Sequence, residues 1–187
     1  MKKICVLMMA MLLSVGVVMA KSELKVTSGN ASLLKQDAKA VVIFDYANTK
    51  VGDKTLNEYL QSRGADFVKD WPQDSQKAVD YFAVFLNTKH KNGKGITVGT
   101  EDVSKYKMIF HVADLDMGNG GGMFIPFASA KAGGVIVNGT LELIEIVTGK
   151  TVLTVDAHDV KGTSHVSETV RLGLAYGELA KMVAKLK

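Results

Sequence analysis

Apolar residues along this chain change period from segment to segment, and each change marks an element. Ala40-Val41-Val42-Ile43-Phe44 is a continuous, largely β-branched run, the pattern of a strand covered on both faces and therefore central in its sheet. Leu56, Tyr59 and Leu60 then fall at i, i+3 and i+4, with Asp53 placed to cap the helix and Gly64 to end it. A second helix is predicted to start near Pro72, because proline suits a first helical turn. Its apolar stripe is Ala78, Val79, Phe82, Phe85 and Leu86. Lys89, His90 and Lys91 crowd its C-terminal end, where cations complement the helix dipole and meet solvent.

The second half alternates. Met108, Phe110 and Val112 share one face of a strand, opposite Lys107, Ile109, His111 and Ala113. Val135, Val137, Leu141 and Leu143 repeat the period across Gly139, opposite Asn138, Thr140 and Glu142. Thr148-Gly149-Lys150 is a turn into Leu153, Val155 and Ala157, so the two runs form a hairpin. A long closing helix carries Val166, Val170, Leu174, Leu179, Met182, Val183 and Leu186; Gly173 and Gly177 within it are read as permitting close packing on the sheet. Strand, two helices, an antiparallel set and a helix predict an α+β fold: a two-layer sandwich, mostly antiparallel, with helices packed on one face. Residues 21–37 are polar and read as an extended N-terminal segment, and 38–187 as a single α+β domain.

The first twenty residues stand apart. Met1-Lys2-Lys3 precedes an uncharged stretch from Ile4 to Val18, and Val18-Met19-Ala20 fits a signal-peptidase site. The apolar run is shorter than the roughly 20 residues a membrane span needs, so residues 1–20 are read as a cleaved signal peptide with no transmembrane segment remaining. A lipid anchor requires a cysteine at the cleavage point, whereas the single cysteine is Cys5. The expectation is an exported protein, periplasmic or secreted, that is not a lipoprotein. Without Cys5 the mature chain has no disulfide, thiol nucleophile or cysteine metal site. Loss of Lys2 and Lys3 lowers the formal charge from +4 to +2, and a balanced, interspersed charge gives no footprint for nucleic acid.

Candidate chemistry is sparse. Asp114-Leu115-Asp116-Met117-Gly118 places oxygen ligands at alternate positions, but the sequence lacks the third ligand and the closing Glu of a calcium loop. Gly118-Asn119-Gly120-Gly121-Gly122 is not followed by the helix N-terminus that a phosphate loop requires. No Gly-x-Ser-x-Gly elbow occurs. His111, Asp114, Asp116 and His158 are the metal-ligand candidates and support an alternative reading as a metal-dependent hydrolase or metal-binding protein. Strict alternation, however, sets His111 and Asp114 on opposite faces. Trp71 beside Pro72 is the one candidate stacking platform for a sugar. Met123, Phe124, Ile125 and Phe127 follow the glycines, either as a further strand over 123–130 or as an apolar partner-binding flap.

The element order, with Val41 to Tyr46, the Gly-rich bend and the hairpin from Gly139 through Thr148-Gly149 to Val152, resembles the periplasmic domains related to the curli-secretion lipoprotein CsgG and the penicillin-binding-protein activator LpoB. That resemblance implies an envelope accessory domain working through protein contacts or assembly, without cofactors. The chain departs from it in lacking a lipidated cysteine. The expected function is therefore an exported, non-catalytic envelope module whose partner is an envelope protein or a second copy.

Overall fold

The structure is a computed structural model that describes residues 21–118 and 133–187. The signal-peptide reading, the segment Met123, Phe124, Ile125 and Phe127, and the alternative strand over 123–130 lie outside the described residues.

Strands β1 (Glu23–Gly29), β2 (Lys39–Asp45), β5 (Thr97–Val98), β6 (Tyr106–Asp116), β7 (Ile136–Glu145) and β8 (Lys150–Lys161) form one sheet in the order β1-β8-β7-β6-β2-β5. A short hairpin, β3 (Lys50–Val51) and β4 (Lys54–Thr55), extends it beside the end of β6. Pairing is antiparallel from β1 to β6, and β2 runs parallel to both β6 and β5. Helices α1 (Leu56–Arg63) and α2 (Ala65–Lys89) lie between β2 and β5, and α3 (Glu168–Val183) closes the fold. The α+β class and one-sided helix layer follow the periodicities.

Phe44 ties the layers together. Its ring lies 5.5 Å from Phe82 of α2, 5.4 Å from Phe110 of β6 and 4.2 Å from Tyr176 of α3. Burial of each such side chain contributes about 1.5–3 kcal/mol, and Phe82, Phe110 and Tyr176 are all essentially inaccessible.

Several local expectations are corrected. Within the extended segment 21–37, β1 pairs along β8 as an edge strand. The α1 cap is Thr55, not Asp53: Thr55 and Glu58 form a reciprocal capping box. Pro72 lies inside α2, which already begins at Ala65 after Gly64. Proline removes the bond to the carbonyl four residues earlier, and that residue, Val68, is exposed, so water is available to it. The β2 run is not central: it neighbours only the two-residue β5 on its outer side, and Ile43 is 40% exposed.

His90 does not belong to a solvated basic cluster. It is buried, with Nδ1 2.7 Å from the Ile96 carbonyl; since a carbonyl only accepts, Nδ1 carries the hydrogen. Gly173 and Gly177 face helix α2 instead of the sheet. A Cβ there would come within 2.7 Å of the Tyr81 ring and 2.6 Å of the Phe85 ring, so two glycines one turn apart receive two aromatics one turn apart.

Candidate functional site

Helices cover one face of the sheet only, and cross-strand register organises the other. One row runs Asp45, His111, Thr140, Asp156 and Lys25 across β2, β6, β7, β8 and β1. The next holds Ile43, Ile109, Glu142 and Thr154, and the third Val41, Lys107 and Ile144. Side chains directly opposite across a ladder approach to about 5 Å and diagonal ones to about 7–8 Å. Ile43 faces Ile109, Val41 is two residues along β2 from Ile43, and Ile144 is diagonal to Ile109, so the four form one aliphatic set with Lys107 between Val41 and Ile144. None of the four packs against the hydrophobic core. Among the described residues, no element lies over them.

The polar margin of this patch is built on His111. Its Nδ1 lies 2.9 Å from Asp45 Oδ2 and its Nε2 3.5 Å from Glu142 Oε2. Asp45 also accepts the Ala47 backbone N–H at 3.0 Å. That N–H, and then His111, hold the Asp45 carboxyl below its ordinary value. A folded-state value below the unfolded one adds stability that is present above the usual carboxylate range and is lost as pH falls through the depressed value. Urea midpoints of Asp45→Asn and parent protein are therefore expected to differ near neutrality and to converge in acid. The effect is small because the pair is solvent-screened, and equal separation at every pH would refute the assignment.

Thr140 Oγ1 donates to Asp156 at 3.0 Å, so its hydroxyl is turned away from His111, and the imidazole is bracketed by two carboxylates. A depression of about 220 Å³ lined by Asp45, Asn48, Lys50, His111, Ala113 and Thr140 opens beside it.

The metal-ligand candidates occupy separate places. A bulge at Ala113, between Val112 and Asp114, resets the period of β6. Asp114 thereby pairs with Asn138 and shares the open side with His111, contrary to strict alternation. Asn138 Nδ2 reaches Asp114 at 3.5 Å while its Oδ1 accepts the Asp159 N–H at 2.7 Å. Asp159 has φ +51° at a matching irregularity in β8. Asp116 accepts the Gly118 N–H at 2.9 Å, which is turn chemistry, and His158 is exposed on β8 opposite Glu23. Among the described residues, no three His, Cys, Asp or Glu side chains are grouped as metal ligands.

At the other end of Asp114 and Asp116 lies a cleft of about 610 Å³, also lined by Lys54, Tyr59 and Arg63. Arg63 is already engaged there: it meets Glu168 at 3.2 Å and the Tyr59 hydroxyl at 2.6 Å, and stacks on Phe67. Trp71 is half-buried, edge-on to Tyr46 at 5.4 Å, so it packs within the fold and is not a free sugar platform. Tyr46 and Tyr176 join hydroxyls at 2.8 Å, and burial pushes both phenols up.

Sequence reasoning placed Ile109 and His111 on a common face but missed that Val41, Ile43 and Ile144 share it. The β2 run carries no alternation to reveal which side is open. Their partner strands do: Lys107 and His111 on β6, and Thr140 and Glu142 on β7, mark the solvent face that β2 joins.

No family model matches the chain, and no curated protein matches it in sequence. Among solved structures it is similar to the PelC dodecamer of Paraburkholderia phytofirmans, at 16% identity and a TM-score of 0.44, over 89% of this chain and 99% of that one. A variant PelC dodecamer from the same organism, in another crystal form, gives 16% and 0.42 over 88% and 99%. A Xanthomonas campestris protein of the DUF330 family gives 12% and 0.34 over 84% and 85%. No helix among the described residues is long and apolar enough to cross a membrane.

Proposed function

We propose that this protein is an exported, non-catalytic accessory module of the bacterial envelope that works through protein contact, and that its contact surface is the uncovered sheet face. The observation that carries this reading is the aliphatic set of Val41, Ile43, Ile109 and Ile144 on a face that no described element covers. Small polar rows on an open sheet need no explanation; four neighbouring aliphatic residues there do.

The occupant we assign is a second copy of the chain. Lys107 sits between Val41 and Ile144, while Glu142 beside Ile109 and Asp45 beyond Ile43 give the set its acidic margin. A two-fold-related copy laid face to face in the opposite sense sets Lys107 near the partner's acidic margin while the aliphatic side chains meet. Sheet-on-sheet packing of this kind has the geometry of a sandwich core. The apolar run Met123, Phe124, Ile125 and Phe127 enters the proposal as a second contact, on its sequence alone. The alternative of a metal-dependent hydrolase has no three-ligand group behind it among the described residues.

The test is mass by light scattering. Ile43→Asp combined with Ile109→Asp is expected to convert an assembled species to monomer while leaving the urea midpoint nearly unchanged, because both side chains lie outside the core. Phe124→Ser with Phe127→Ser is the companion pair. An assembly that survives Ile43→Asp with Ile109→Asp, or a parent protein that is monomeric at all concentrations, would refute the sheet-face contact.

A further inference from the structure

One end of the molecule carries more lysines than carboxylates. The start of β2 and β6, the turn from β7 to β8, and the last turns of α2 and α3 converge at one end. Main-chain bonds tie them together there: Lys105 N–H donates to the Lys39 carbonyl and Ile146 N–H to the Lys105 carbonyl, each at 3.0 Å, and Ile96 N–H donates to the Leu34 carbonyl at 3.0 Å. Lys35 Nζ reaches the Ala184 carbonyl at the end of α3. Lys39, Lys91, Lys94, Lys105, Lys150 and Lys187 are all exposed on this end, and they outnumber its carboxylates, Asp37, Glu101, Asp102 and Glu145.

Lysines at helix C-termini have a local reason, since they complement the dipoles of α2 and α3. Lys39 and Lys150 are on strands and Lys105 is in the bend just before β6, where that reason does not apply. A second and independent feature is found among them. Val147, at the tip of the β7–β8 turn, is 90% exposed; Val103, before β6, is 51% exposed and Ile146 37%. A solvent-facing turn gains nothing in water from Ile-Val at its tip. Aliphatic tips ringed by lysines are the arrangement that enters a bilayer interface, with the apolar tips below the headgroups and the ammonium groups among the lipid phosphates.

We infer that this end of the protein docks peripherally on an anionic phospholipid surface, with Val147, Ile146 and Val103 inserted and the surrounding lysines on the headgroups. This orientation stands the strands and helices end-on to the membrane. The uncovered sheet face is then directed sideways, free for the contact proposed above, so the two surfaces are separable.

Co-sedimentation of the purified protein with vesicles of phosphatidylglycerol and phosphatidylcholine in equal parts tests this. Binding is expected at low salt, to fall with added salt, and to be absent from phosphatidylcholine alone. Lys94→Glu with Lys150→Glu should weaken the partition more than tenfold, since each cation near such a surface is worth roughly fivefold. Val147→Asp should weaken it about fivefold to tenfold by removing the inserted side chain. These side chains are solvent-exposed, so unchanged urea midpoints should accompany both losses. Ile43→Asp with Ile109→Asp should still bind vesicles, which separates this outcome from that of the sheet-face proposal. Failure to sediment with the anionic vesicles at low salt would overturn the inference. So would binding to soluble polyphosphate combined with vesicle binding that Val147→Asp leaves intact, because that result identifies a partner recognised by charge alone.

Discussion

Replacing Gly139 by alanine is expected to lower the stability of the protein by about 3 kcal/mol, the upper part of the usual range for forcing extra volume into a packed site. Gly139 is central in β7, between β6 and β8, where a Cβ would stand 2.3 Å from the His111 carbonyl oxygen and 2.9 Å from Phe110 Cζ. The oxygen belongs to a backbone held by the ladder, so the clash is relieved only by separating the strands. Gly149 is the control. Its φ of +66° makes glycine preferable, yet nothing lies within 4 Å of a Cβ there, and alanine should cost about 1–2 kcal/mol from conformation alone. Urea midpoints of the two variants distinguish the causes. Gly139→Ala should also reduce self-association, because separating β6 from β7 displaces His111 and Glu142 from the margin of the patch. A Gly139→Ala midpoint equal to that of Gly149→Ala would refute the steric account.

Arg171→Ala is the second large effect, with an expected loss of about 3 kcal/mol from unmet hydrogen bonds and lost packing. Arg171 is 3% exposed on the first turns of α3. Its Nε donates to the Met117 carbonyl at 3.3 Å, and Nη1 donates to His165 at 2.8 Å and Val166 at 3.2 Å. Glu168 is 3.9 Å from Nη2 and is itself bonded to Arg63. The guanidinium thus fastens the chain leaving β6 to the chain entering α3, and a buried cation persists there because carbonyl oxygens surround it. Lysine at this position keeps the charge but has no planar fork to reach separated carbonyls. Arg171→Lys should therefore recover less than half of the loss. Full recovery would show that charge, and not the fork, is what matters.

The features that sequence reasoning missed share a cause. Alternation predicts β6 correctly from Tyr106 to Val112, and then a single bulged residue, Ala113, moves Asp114 to the side of His111. A bulge leaves no composition signature, and it is held here by contacts from β7 and β8 through Asn138. His90 looks like a helix-end cation by position, yet the returning chain at Gly95 and Ile96 buries it. Pro72 is a start signal by propensity, but the helix that contains it is set by packing of Trp71, Ala78 and Phe82 against the rest of the fold.

By itself the sequence determined the α+β class, the alternating strands, the hairpin across Thr148-Gly149 and the C-terminal helix. These are properties of neighbouring residues, and local periodicity is sufficient to express them. Only the tertiary structure decided which side of the sheet stays open, that Val41, Ile43, Ile109 and Ile144 meet there, that Gly173 and Gly177 receive aromatics from α2, and that the lysines gather at one end with Val147. Each of these depends on residues far apart in the chain being brought together. The deciding quantity is which surface the helices cover, and no single segment carries that information.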